Sequence, residues 1–287
     1  MDSLLMNRAC IAGALALALC SVAAAEEKKP DWSYKDIKAW DEFPDCKSGN
    51  RQSPINLKAA APQAVQRSIK FRSVGQGDSN APPDLNFARD SVFPVKLHNN
   101  GNNLEIDNTE KVKVTDAARP FLYVGGQPYT LVNVHFHSPA EHFDPSVADM
   151  ELHIVHSSGA NRAVVAVGLK KGGGDNPALA PFFANVGSDT DPPGATIDLL
   201  KLIPPERNIR VQNFVDSLRP YYSYQGSLTT PTCDQNVTWY LFEDTLPISQ
   251  GQIEAFNRRF QQIARPFQTY NPTTHKLFRC CNLLPPS

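Results

Sequence analysis

The sequence predicts a mainly β protein built on one large, mostly antiparallel sheet. Short apolar runs rich in β-branched residues recur along the chain, turn sequences such as Asn99-Asn-Gly101 separate them, and few stretches repeat with the helical period. Strands are predicted at residues 92–98, 103–107, 111–115, 129–137, 149–156, 163–170 and 237–242. This density of short strands, with few helices between them, favours an antiparallel sheet over a parallel one.

One clear helix is predicted from Gln250 to about Ala264, because Ser249 and Gln252 can form a capping box at its start. Its apolar stripe follows the helical period. The stripe consists of Ile253, Phe256, Phe260 and Ile263.

A weaker helical pattern covers residues 177–186. The segments 60–90 and 172–206 are polar and rich in proline and glycine. They are expected to be surface insertions rather than linkers between domains.

The first 25 residues predict a secretory signal peptide. Residues 9–22 form an apolar core, Ala23-Ala-Ala25 fits the small-residue cleavage pattern, and charged residues follow at once. The apolar run is too short to cross a hydrocarbon core of about 30 Å, so no membrane span is expected. Residues 26–287 should form a single exported domain, located in a periplasm, outside the cell or in an organelle lumen.

The net charge and the cysteines indicate which binding partners and which disulfides to expect. A net charge of −1 gives no reason to expect nucleic acid or an anionic membrane. In an oxidising compartment, Cys46 and Cys233 can form a long-range disulfide. The adjacent Cys280 and Cys281 are either free or link two chains, which permits a homodimer.

Three histidines predict a metal site. His135 and His137 are two residues apart in an apolar run, so both imidazoles lie on one face of a strand. An antiparallel return brings His153 beside them. Three neutral nitrogens leave the fourth tetrahedral position of Zn²⁺ open, as in catalytic zinc sites. Asn133 and Glu151, each two residues before one of these histidines, can hold the outer ring nitrogens.

The alternative is structural, because a lone strand histidine is more often a hydrogen-bonded core or surface residue than a ligand. The His-x-His pair, the third histidine and the neighbouring Glu151 favour the metal site. A buried Glu151 without such a role would cost several kcal/mol.

The chain resembles the α-class carbonic anhydrases. The resemblance covers most of residues 26–287, from Trp32-Ser-Tyr34 to Ala264-Arg-Pro266, and its landmarks follow one another in the family's order. They are Arg51-Gln-Ser-Pro-Ile-Asn56, Leu97-His-Asn-Asn-Gly101, Val134-His-Phe-His137, Ala140-Glu-His142, Met150-Glu-Leu-His153, Gly226-Ser-Leu-Thr-Thr-Pro231 and Val237-Thr-Trp239.

The resemblance implies a central, twisted, mostly antiparallel sheet of about ten strands with a few short peripheral helices. It implies that His135, His137 and His153 hold Zn²⁺ and that Cys46 pairs with Cys233. Asn133 and Glu151 match the positions whose side chains hydrogen-bond the ligand histidines. The family more often has Gln at the position of Asn133, whose shorter side chain puts that hydrogen bond in doubt.

The implied reaction is the reversible hydration of carbon dioxide to bicarbonate and a proton, by attack of zinc-bound hydroxide. Thr229 would accept a hydrogen bond from the hydroxide and donate one to Glu141. The substrate pocket would comprise Val155, Val164, Leu228, Val237, Trp239 and Thr230.

One position departs from the fastest members of the family. They place a proton-shuttling histidine where this chain has Asn102, and an amide cannot store a proton near pH 7. Turnover is therefore expected to be limited by proton release. Glu105 is a candidate substitute relay, against the simpler interpretation of a solvated strand residue.

Two other functions compete with this one. The first is a non-catalytic binding module on the same fold, which the complete set of three histidines, Thr229 and Glu141 argues against. The second is a zinc esterase, although nothing resembles an acyl-chain or peptide subsite. His142 and His156 match structural positions in the family, His98 is expected to be structural or exposed, and none of the three is expected to be a fourth ligand.

Overall fold

The computed structural model describes residues 32–60, 63–64, 85–87, 92–107, 121–184, 186, 195–211 and 214–280. From Trp32 onwards the described residues belong to one compact unit. The predicted signal peptide, the predicted strand at 111–115 and Cys281 lie outside the described residues.

The strands account for most of the regular structure. In chain order they are β1 Gln63–Ala64, β2 Leu85–Phe87, β3 Val92–Val95, β4 Leu97–Asn99, β5 Leu104–Asp107, β6 Phe121–Val124, β7 Gln127–His137, β8 Met150–Ser158, β9 Asn161–Lys171, β10 Ala195–Asp198, β11 Arg207–Val211, β12 Phe214–Leu218, β13 Tyr221–Gly226, β14 Val237–Phe242, β15 Leu246–Ile248 and β16 Phe278–Arg279.

The helices are short. They are α1 Pro44–Ser48, α2 Ala180–Phe183, α3 Gln250–Asn257 and α4 Pro272–His275, with 3-10 turns at Ile37–Glu42 and Leu199–Leu202. Among the described residues, no helix has the length and apolar character that a membrane crossing requires.

Twelve of the strands form one mixed sheet in the order β1-β16-β13-β14-β9-β8-β7-β5-β4, with β15 beside β9 and the β2–β6 pair beside β7. Its β1–β16, β14–β9 and β15–β9 pairs are parallel, and the other pairs are antiparallel. Two further two-stranded sheets pair β3 with β10 and β11 with β12. The predicted fold class, mainly β with a mostly antiparallel central sheet, is confirmed.

Strand β7 separates an apolar face from a polar one because its side chains alternate. Val134 and Phe136 are completely buried on the first face, while His135 and His137 point to the other. The Phe136 ring packs against Phe182 of α2 and Phe256 of α3, with centroids 5.0 and 6.0 Å apart. The two helices therefore support the strand that carries the histidines.

Some helix and loop predictions are wrong. Helix α3 ends at Asn257 rather than near Ala264, although the predicted stripe from Ile253 to Ile263 is buried. The weaker helix is confined to Ala180–Phe183. The segment 172–206 is not a surface insertion where it is described, since its apolar side chains enter the core. They include Phe182, Ile197, Leu199 and Leu202.

Candidate metal centre

Strand pairing brings the three histidines together. Strands β7 and β8 are antiparallel, with His135 directly opposite His153 and His137 opposite Glu151. The ring centroids of His135 and His137 lie 5.0 Å apart, and those of His137 and His153 lie 4.4 Å apart. One ring nitrogen from each histidine lies within 4.8 Å of the other two.

Each imidazole is held at its outer nitrogen by an acceptor. His137 donates from Nδ1 to the Ile263 carbonyl at 2.8 Å, and His153 donates from Nε2 to Oε1 of Glu151 at 2.7 Å. His135 Nδ1 lies 2.5 Å from Oδ1 of Asn133. In a neutral imidazole the other nitrogen is then an acceptor. The inward nitrogens are Nε2 of His135, Nε2 of His137 and Nδ1 of His153.

The surroundings favour neutral rings. Burial is the main reason that the pKa values of His135, His137 and His153 lie below the ordinary value, and repulsion from His153 lowers those of the other two further. The inward Nε2 of His137 is buried and has no hydrogen-bond partner among the described residues. Three neutral, converging nitrogen donors, one of them left without a partner, fit a zinc ion.

Glu151 anchors the position of His153. Its carboxylate accepts the backbone N–H groups of Glu141 and His142, at 2.8 and 2.7 Å, and the Nδ1–H of His142 at 2.7 Å. Burial raises the pKa of Glu151, but attraction to His142 and His153 outweighs it, so the net pKa lies well below the ordinary value. An ionised carboxylate held by three N–H groups can act only as an acceptor toward His153.

Glu141 is buried next to the histidines. Its Oε1 accepts the Arg265 N–H at 2.8 Å and lies 3.3 Å from Nδ1 of His137. Burial raises the pKa of its carboxyl, while the Arg265 N–H and the Thr229 hydroxyl lower it, for a net rise. Oε2 of Glu141 accepts no hydrogen bond of normal geometry from the described residues, although the buried Thr229 is its neighbour.

The family model of the eukaryotic-type carbonic anhydrases matches residues 35–269. The chain belongs to this family. Carbonic anhydrases are zinc-dependent lyases that hydrate carbon dioxide.

Individual carbonic anhydrases agree with this assignment. One from a Nostoc species is 30% identical, with 88% of each chain covered, and alpha carbonic anhydrase 3 of Arabidopsis thaliana is 28% identical, with 89% of this chain and 87% of the relative covered. The solved α-carbonic anhydrase of Thermovibrio ammonificans, in complex with sulfanilamide, superposes with a TM-score of 0.64 at 25% identity. The match covers 88% of this chain and all of that one.

In this carbonic anhydrase, the apolar residues expected around the substrate share one cluster beside the metal centre. Val164 lies opposite Val155 on β8 and beside Trp239 on β14. The Trp239 ring lies 4.8 Å from that of His153. The cluster also contains Val237, and the partly buried Leu228 packs against it. Thr230 is half-buried.

The loop that carries Thr229 and Thr230 is tied to the rest of the fold. Cys233 forms a disulfide with Cys46, 187 residues away, and donates its N–H to the Thr230 carbonyl at 2.8 Å. The predicted disulfide is therefore present. Cys280 is buried and also disulfide-bonded, so the alternative of a free thiol there is wrong.

Asn102 lies in the turn between β4 and β5 and is partly exposed. Its backbone N–H donates to Oδ1 of Asn100 at 2.9 Å. Glu105, the suggested relay, lies opposite His135 and is hydrogen-bonded rather than merely solvated. Its carboxylate accepts from the side-chain amides of Asn100, at 3.0 Å, and of Asn133.

Two residues of the site were not predicted from the sequence to belong to it. The Ile263 carbonyl holds His137, and the Arg265 N–H holds Glu141. Both contacts use backbone atoms, so the residue types at these positions do not reveal them.

Two of the histidines expected to be structural are buried. His142 is hydrogen-bonded to Glu151 and to the Tyr224 hydroxyl. Burial lowers the pKa of His156 to about 4.

Proposed function

We propose that this chain is an exported zinc enzyme that hydrates carbon dioxide reversibly to bicarbonate and a proton. The observation that carries the proposal is the convergence of three neutral imidazole nitrogens, each fixed by a hydrogen bond at its outer nitrogen. Residues 26–287 would form the single catalytic domain after removal of residues 1–25. The Cys46–Cys233 disulfide supports an oxidising compartment.

His135, His137 and His153 would hold the zinc ion. When bound, zinc lowers the pKa of a coordinated water to about 7 and so supplies a nucleophile at neutral pH, an effect for which carbonic anhydrases are the standard example. Asn133, Ile263 and Glu151 keep the three rings in place. The Ile263 carbonyl and the Glu151 carboxylate can only accept, so they also fix the tautomers of His137 and His153, and neither ring has to reorient to bind the metal.

Thr229 and Glu141 would orient the nucleophile. An ionised Glu141 can only accept, and its Oε1 already receives the Arg265 N–H, so Oε2 is available to the Thr229 hydroxyl. If Thr229 donates there, its oxygen can only accept from the nucleophile, which aims a lone pair at the carbon of the substrate. A cation at the histidines would help to keep Glu141 ionised against its burial.

Carbon dioxide is apolar and needs a dry surface rather than hydrogen-bond donors. The cluster around Trp239 supplies such a wall next to His153. Val155, Val164, Leu228 and Val237 would complete it, with Thr230 at its half-buried edge.

Proton release would limit turnover. Asn102 occupies the shuttle position and has no group that titrates near pH 7. The enzyme would therefore depend on added buffer to remove the proton after each hydration.

Metal analysis with a CO₂ hydration assay tests the central claim. We expect one zinc per chain, loss of activity with a chelator, and recovery on adding zinc. His137→Ala should reduce zinc affinity by more than the ten- to about hundredfold that is typical of losing a ligand's hydrogen-bond partner. Lys201→Ala, a change at an exposed side chain of the 3-10 turn Leu199–Leu202, should keep both metal and activity. Full hydration activity in metal-free protein would refute the proposal.

A further inference from the structure

His135 differs from the other two histidines in what holds it. The Glu151 carboxylate and the Ile263 carbonyl can only accept, so they oblige His153 and His137 to donate. The partner of His135 is the side-chain amide of Asn133, which can present either its oxygen or its NH₂ group. That amide alone does not settle which nitrogen of His135 carries the proton.

Glu105 settles the orientation of the amide. Strand β5 pairs with β7 so that Glu105 lies opposite His135, and its Oε2 accepts from Nδ2 of Asn133. An ionised carboxylate has no proton to donate, so the NH₂ group of Asn133 must face it. Oδ1 of Asn133 then faces His135, whose Nδ1 must carry the proton and whose Nε2 is left as the acceptor.

We propose that Glu105 is a positioning residue that fixes the tautomer and orientation of His135 through the amide of Asn133. The inference rests on the proposed function in that His135 is a metal ligand. The bond to Glu105 also polarises the amide, which strengthens the hydrogen bond that Oδ1 of Asn133 accepts from the His135 ring in this partly buried site. The shorter Asn133 thus gains from Glu105 a support that residue identity at position 133 does not reveal.

The turn before β5 holds Glu105 in place. Nδ2 of Asn100 donates to Oε1 of Glu105 at 3.0 Å, while Oδ1 of Asn100 accepts the N–H groups of Asn102 and Asn103, at 2.9 and 2.7 Å. Nδ2 of Asn103 donates to the Phe136 carbonyl at 2.7 Å. The asparagine-rich turn therefore connects β7 to the carboxylate that orients its histidine.

The test combines zinc affinity, measured by competition with a chelator, and the tautomer of His135 in metal-free protein, measured by ¹⁵N NMR of the imidazole. Glu105→Gln keeps the size of the side chain but can donate, so it permits the flipped Asn133 amide. We expect a mixture of His135 tautomers and about tenfold weaker zinc binding. Glu206→Gln, which removes an exposed carboxylate paired with Arg219, should change neither.

A double-mutant cycle separates positioning from simple charge. If Glu105 acts through the amide, Glu105→Gln should cause no further loss of zinc affinity in an Asn133→Ala background. An equal loss in both backgrounds would overturn the inference, because it would show that the charge acts directly on the metal. An unchanged tautomer in Glu105→Gln would also overturn it. A changed tautomer in a protein that binds no zinc would support the inference and refute the proposed function.

Discussion

Three kinds of acceptor hold the three imidazoles: an amide at His135, a backbone carbonyl at His137 and a carboxylate at His153. Two of them are readable from sequence, because a residue two positions earlier on a strand lies on the same face. The doubt over the shorter Asn133 is resolved, since its oxygen reaches His135 at 2.5 Å. The Ile263 carbonyl is not readable, because it comes from a segment 126 residues away.

At the residue scale, Asn102→His should restore a proton shuttle. We expect the rate of CO₂ hydration in dilute buffer to rise by about tenfold or more, because a group with a pKa near 7 can carry the product proton to bulk buffer. Stopped-flow measurements at rising imidazole concentration should show a strong buffer dependence in the natural sequence and a weak one in the variant.

Asn102→Gln is the matched control, because it changes the side chain without adding a titrating group. It should keep the buffer dependence of the natural sequence. A natural enzyme that is both fast and indifferent to imidazole would contradict the assignment of proton release as the limiting step.

At the scale of elements, α3 shows where local sequence stops deciding structure. Its start is confirmed, since Oγ of Ser249 accepts the Gln252 N–H at 3.1 Å and the Gln252 side chain returns to the Ser249 N–H. Its end is not as predicted. The backbone of Ile263 bonds the end of β7 instead, because its N–H donates to the Ser138 carbonyl and its carbonyl accepts from Nδ1 of His137. Those tertiary bonds replace the last turns of the predicted helix.

Removing the cap should destabilise this element. Ser249→Ala is expected to lower the free energy of unfolding by about 1 kcal/mol, because the Gln252 N–H loses its acceptor. Urea denaturation measures the change. Ser249→Thr keeps the hydroxyl and should lose less; an equal loss in both variants would mean that the cap does not contribute.

At the scale of the whole molecule, the disulfide joins the N-terminal part of the domain to the loop after Thr229. Cys46 lies in α1, and Cys233 adopts a left-handed backbone conformation with φ of 62°. The side chain of Gln52 donates to the Cys233 carbonyl at 3.2 Å and links the same two regions. The covalent link therefore supports the loop that carries the proposed orienting hydroxyl.

Replacing both cysteines with serine should lower the free energy of unfolding by about 2–4 kcal/mol, because the unfolded chain regains the freedom that a 187-residue link removes. Denaturation is best compared without reductant, so that the disulfide at Cys280 is unaffected. An unchanged denaturation midpoint would contradict a stabilising role for this bond.

The β class, the family and the three histidines can be predicted from the sequence alone. Alternation along strands and spacing between them are local properties, and His135, His137 and His153 follow from them. Strand β13 was missed because its Ser, Gln and Gly weaken the apolar pattern, although it pairs with β14 along its whole length.

The hydrogen bonds that hold the site depend instead on tertiary contacts. Glu105 bonds Asn133 across a strand pair, and Ile263 and Arg265 use backbone atoms from a segment distant in sequence. Such bonds depend on which strands and loops become neighbours. Residue type limits which hydrogen bonds a side chain can make, but the fold determines which partner lies within reach.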